Sequence, residues 1–90
     1  MILHINTKDP KTVTVELKQS GEVVKSLSEE NEYGSQVLLP LILELLPPRG
    51  WDVVKGIEVE EGPGSFTGLR VGASVAQALG FALNIPVNGK

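Results

Sequence analysis

At 90 residues, with a formal net charge of −3 and 21% charged side chains, the chain has the balance of an ordinary acidic globular domain. That balance argues against direct, non-specific nucleic-acid binding, which relies on clustered Lys and Arg. It contains no cysteine and a single histidine, so neither a disulfide framework nor a thiolate or histidine-cluster metal site is available. No apolar run reaches the ~18 residues of a membrane span. Met1–Asn6 lacks the basic and apolar regions of a signal peptide, and the chain reads as cytoplasmic.

In chain order, Ile2–Asn6 is a short first strand and Lys8–Lys11 a polar turn. Thr12–Lys18 alternates, with Val13, Val15 and Leu17 on one side and threonines and charges on the other, the period of a half-buried strand. Gln19–Glu22 turns the chain into a third strand, Val23–Ser28, completing an antiparallel meander, and the acidic stretch Ser28–Glu32 is a loop. Ser35–Leu46 follows as a helix with almost no polar face, interrupted by Pro40, where a kink is expected. Pro47-Pro48-Arg49-Gly50 ends it, and Trp51 caps the end of the sheet. Gly56–Glu60 is the fourth strand. Gly62–Gly68, three glycines and a proline in seven positions, forces a sharp turn before a second helix, Leu69–Leu83, for which Ser65 and Thr67 are candidate caps. Asn84 stops that helix, and Ile85-Pro86-Val87 starts a fifth strand.

The expected fold is α/β, one domain over residues 1–90 ordered βββαβαβ, with a mixed five-stranded sheet and two helices on one face. The fourth strand should lie parallel to the first, by right-handed crossovers. Both helices are apolar on more than one side, and so small a domain has little with which to cover the second side. They are therefore expected to dock against another chain. Glu58 and Glu60 share the opposite, solvated face of the sheet.

Gly62-Pro63-Gly64-Ser65-Phe66-Thr67-Gly68-Leu69-Arg70-Val71-Gly72 resembles the signature of the TsaB (YeaZ) family. The opening Ile2-Leu3-His4-Ile5-Asn6-Thr7, the stretch Ser35–Ile42 and the ending Ala82–Val87 are similar too. The resemblance implies a single lobe of the actin-like (RNase H-like) fold, the N-terminal one of two. It implies a subunit of the bacterial machinery that makes threonylcarbamoyladenosine in tRNA, paired through its first two helices with a TsaD-like catalytic subunit or with its own copy. Two positions depart from the family pattern: Asn6-Thr7-Lys8 stands where Asp-Thr-Ser is usual, and Gly34 where a histidine is usual. Both departures, and the absence of a second lobe over these residues, lower the expectation of catalysis and nucleotide binding.

Each candidate has a plainer reading. The glycine loop lacks the lysine of a Walker loop and the spacing of a dinucleotide fingerprint, so a structural turn is favoured over an anion cradle. Arg70 reads as an interface or carboxylate-pairing residue, and Glu58, Glu60 and Glu61 as a solvated edge. His4 reads as a plain surface or core-edge histidine. Ser65 as a nucleophile would need a nearby base, and the one histidine is at the chain start. No catalytic, metal or cofactor residue is expected. The interface residues expected are Val37, Leu41 and Leu45 on the first helix and Arg70, Ala73, Ala76 and Gly80 on the second. A nucleotide- or phosphate-binding enzyme of the same fold, or a self-associating remnant without a partner, are the alternatives.

Overall fold

Alternation sets the sheet. In the computed structural model, which describes residues 1–30, 36–62 and 66–89, the strands are β1 (Ile2–Asn6), β2 (Thr12–Gln19), β3 (Glu22–Glu30) and β4 (Gly56–Val59). Leu3, Ile5, Val13, Val15, Leu17, Ile57 and Val59 all turn to one side and are buried. The sheet order is β3-β2-β1-β4, with β1 antiparallel to β2 and parallel to β4, the relation expected from the sequence. Ser20 and Gly21 both have positive φ, 54° and 81°, the primed hairpin turn whose twist matches that of its flanking strands. Glu29 and Glu30, expected in a loop, continue β3 opposite Val13 and Thr12. Their side chains are exposed at the sheet edge, where acidic residues are tolerated.

Helix α1 (Leu38–Leu45) starts later than the sequence suggested. Ser35 lies outside the described residues; Gln36 and Val37 form a turn ahead of the helix. Pro40 thus falls in the first turn, where the missing N–H had no helical partner to lose, and the expected interior interruption does not arise. The first bond of the helix, Leu41 N–H to the Val37 carbonyl, follows at 2.9 Å. A short 3-10 turn, Gly50–Val53, leads to β4, and Trp51 within it is half-buried against the core.

Helix α2 (Phe66–Leu83) ends in a Schellman motif: Ile85 N–H reaches the Gly80 carbonyl (3.0 Å) and Asn84 N–H that of Phe81 (3.3 Å). Asn84 takes the left-handed position that this motif requires, φ 55°, as its place in the sequence suggested. Both helices pack on the side of the sheet that carries the aliphatic residues, forming one core with Leu38, Leu41, Ile42, Leu45, Val54 and Ala76.

The fifth strand does not form as a strand among the described residues. Only Val87 pairs with Ile57, in the parallel sense. Asn88 and Gly89 then turn away with φ of 52° and 78°. The Asn88 side-chain amide takes over the pairing, accepting from Val59 N–H (2.8 Å) and donating to the Val59 carbonyl (3.3 Å). Among the described residues no helix is long and apolar enough to cross a membrane.

Candidate functional site

The half of the glycine loop that the structure describes is a packing joint. Thr7, buried just past β1, donates its hydroxyl to the Gly68 carbonyl at 2.6 Å. One turn on, a Cβ at Gly72 would collide with that same hydroxyl oxygen. Gly68, Gly72, Ala76 and Gly80, spaced by four, are all buried. They form the small-residue line along which α2 approaches the rest of the chain, with Gly80 closed over by Val87. Pro63, Gly64 and Ser65, the centre of the loop, lie outside the described residues. Thr67 lies within α2 and exposed, so it is not the cap. Leu69 is half-buried; Arg70 is exposed. An open hollow of ≈ 420 Å³ between β4 and α2 is lined by Glu60, Glu61, Gly62, Leu69, Arg70 and Ala73, so carboxylates and a guanidinium share its rim.

Four of the seven residues expected at an interface face inward. Leu41 (4% exposed), Leu45 (0%) and Ala76 (0%) belong to the core, and Gly80 is buried beneath Val87. Val37 is half-buried against the same core. Helix α1 buries Leu38, Leu41, Ile42 and Leu45, the stripe a helix turns to a sheet. What stays outside is Leu39 (45% exposed) and Leu43 (53%). On α2 the exposed residues include Arg70 and Ala73, as expected, and Phe81, which is 91% exposed. The apolar surplus is real, but it is carried by side chains other than most of those first singled out.

The opposite face is a charge ladder. His4 bridges two carboxylates, with Nδ1 3.0 Å from Glu58 Oε1 and Nε2 2.8 Å from Glu60 Oε2. Lys18 reaches Glu58 (3.2 Å) and Lys8 reaches Glu60 (3.1 Å). Hydrogen bonds from His4 and then Lys18 hold the Glu58 carboxyl below the ordinary glutamate value. Lys8 does the same for Glu60, outweighing slight desolvation, with His4 adding to it. The sequence alone reads these glutamates as a solvated edge and His4 as a plain surface or core-edge histidine. The ladder needs β1 beside β4, a pairing visible only once the register His4↔Glu58 is known. Among the described residues no group of His, Cys, Asp and Glu is arranged to hold a metal ion.

A meander, two helices on one face and a glycine loop tied to the end of β1 define, among the described residues, an α/β lobe whose helical layer leaves Leu39, Leu43 and Phe81 exposed. The family model described as "TsaD: tRNA N6-adenosine threonylcarbamoyltransferase" matches residues 23–89. The TsaB protein of Haemophilus influenzae, a tRNA threonylcarbamoyladenosine biosynthesis protein, is 46% identical over 52 residues, 56% of this chain and 22% of that protein. The tRNA N6-adenosine threonylcarbamoyltransferase of Nitrosospira multiformis is 42% identical over 71 residues, 77% of this chain and 20% of that protein. Among solved structures, YeaZ from Pseudomonas aeruginosa superposes with a TM-score of 0.82 at 34% identity, over 96% of this chain and 42% of that one. The chain belongs to the threonylcarbamoyltransferase family that this model describes, on its TsaB (YeaZ) branch, and corresponds to part of the N-terminal lobe. It spans less than half the length of the relatives it matches.

Proposed function

We propose that this chain is a non-catalytic, cytoplasmic scaffold subunit in tRNA threonylcarbamoyladenosine synthesis, docking its helical layer on a TsaD-like catalytic subunit or on a second copy of itself. The observation that carries the reading is the outward side of that layer, where Leu39, Leu43 and Phe81 stay exposed although the core beneath them is filled. Burying a leucine or phenylalanine side chain yields about 1.5–3 kcal/mol, which gives a partner reason to cover them. The relatives' names supply the class of partner: one is a biosynthesis protein of this modification and another is the transferase. The glycine loop supports the same reading, since its described half is occupied in seating α2 on Thr7.

The test is co-purification with a TsaD-like protein. Leu43→Glu and Phe81→Glu should each weaken pairing at least tenfold while circular dichroism and the unfolding midpoint stay unchanged. A charged residue at Ala76 would be uninformative, because that side chain is in the core. If both variants pair like the parent, the docking face is elsewhere. Calorimetry with ATP and Mg²⁺ separates the phosphate-binding alternative, for which saturable heat is the signature.

A further inference from the structure

We infer that His4 is a proton-operated clasp that ties the entry of the glycine loop to the middle of the sheet. Its ring lies between Glu58, which faces it across the β1–β4 ladder, and Glu60, which follows β4 and stands two residues before Gly62. A neutral imidazole has one N–H and one bare lone pair, and a lone pair repels a carboxylate. Both bridges therefore close together only on the imidazolium. When the proton leaves, one of the two must open.

The surroundings make the change local. Lys18 stays on Glu58 and Lys8 on Glu60, so neither carboxylate is abandoned. Glu16 of β2 faces His4 across the antiparallel ladder. On the far side Glu61 is engaged by the Asn88 amide at 2.7 Å. The main chain at Glu60 is anchored separately, its N–H on the Ile5 carbonyl at 2.9 Å. His4 is the main hydrogen-bond partner of Glu58, whereas Lys8 is the main hold on Glu60, so the bridge that opens is the one to Glu60. That side chain, still paired with Lys8, borders both the hollow beside His4 and the one shared by Gly62 and Arg70. The clasp thus couples a proton on the open face to the charge presented at the loop entry.

The chain has a single histidine, so its titration is read without ambiguity. In ¹⁵N-labelled protein, the amides of Glu58, Glu60 and Gly62 should shift with the midpoint of the imidazole's own carbon-bound protons. In His4→Gln that transition should vanish, leaving only the acid transition of the carboxylates. In Glu60→Gln the Gly62 response should be lost while the Glu58 response survives. The inference is overturned if the imidazole titrates while the Glu60 and Gly62 amides stand still. It is equally overturned if Gly62 follows the imidazole in Glu60→Gln, or if the transition persists in His4→Gln.

Discussion

Replacing Gly72 with alanine tests the joint between β1 and α2 most directly. On an ordinary helix the change stabilises by about 1 kcal/mol, because glycine gives up more backbone entropy. Here the new Cβ meets the Thr7 hydroxyl oxygen, which is already committed to the Gly68 carbonyl at 2.6 Å. Either α2 lifts, at an overpacking cost of about 1–3 kcal/mol, or Thr7 rotates and leaves a buried hydroxyl unpaired, at a similar cost. The cheaper escape wins, so Gly72→Ala should destabilise by up to about 2 kcal/mol after the helix gain of about 1 kcal/mol is subtracted. For a domain of this size each kcal/mol lowers Tm by roughly 4–8 °C. The control is the same change in a Thr7→Ala background. The oxygen is then gone, and the remaining Thr7 Cβ is at 3.5 Å, an ordinary contact. The sign should reverse to a stabilisation of up to about 1 kcal/mol, a coupling of about 1–3 kcal/mol across the cycle. Urea unfolding of the four proteins measures it. Equal effects of Gly72→Ala in both backgrounds would refute the joint.

Three further outcomes are expected. Asn88→Ala removes both side-chain bonds to Val59 and should cost about 1–2 kcal/mol, with hydrogen exchange at the Val59 amide accelerated before that at Ile5. Ile42→Ala, at a fully buried site, should cost about 2–5 kcal/mol, whereas Leu43→Glu on the same helix should stay within about 0.5 kcal/mol; a reversed order would mean that α1 faces the other way. Folded Glu58 and Glu60 titrate below the unfolded value, so their ion pairs with Lys18 and Lys8 contribute fully above about pH 4.5 and are lost as pH falls through the lowered folded values. Both are partly exposed, so each pair is worth at most about 1 kcal/mol, and a Glu58→Gln, Glu60→Gln protein should show a flatter fall in urea midpoint between pH 5 and pH 3.

How much of this was legible in the sequence depends on whether the signal was local. Val13, Val15 and Leu17 alternate with polar residues, and that period alone gives β2 and its buried face. Ser20-Gly21 and Asn84 announce their turns by residue type, and both carry the positive φ they imply. Helix α1 was legible as a helix but not as an oriented one. Apolar residues surround it almost completely, so no stripe marks which side is core, and Leu41 and Leu45 were assigned outward when they face in. Its start was hidden because Pro40 looks alike as an interior interruption and as a first-turn residue. Ile85-Pro86-Val87 reads as the start of a fifth strand because nothing in that triplet shows that the next two residues turn away. Thr7–Gly68 and His4–Glu58–Glu60 join residues 61 and 54 positions apart or nearly so, and only the sheet order brings them together.

That same separation has a consequence during synthesis. His4 leaves the ribosome 54 residues ahead of Glu58, which at about 5–20 residues per second is a wait of roughly 3–10 s. The meander closes within its own neighbourhood in far less time. The flank of β1 destined for β4 is therefore bare for seconds in every nascent copy, and crowded polysomes are where a stray strand from a neighbour has its best opportunity to take that place.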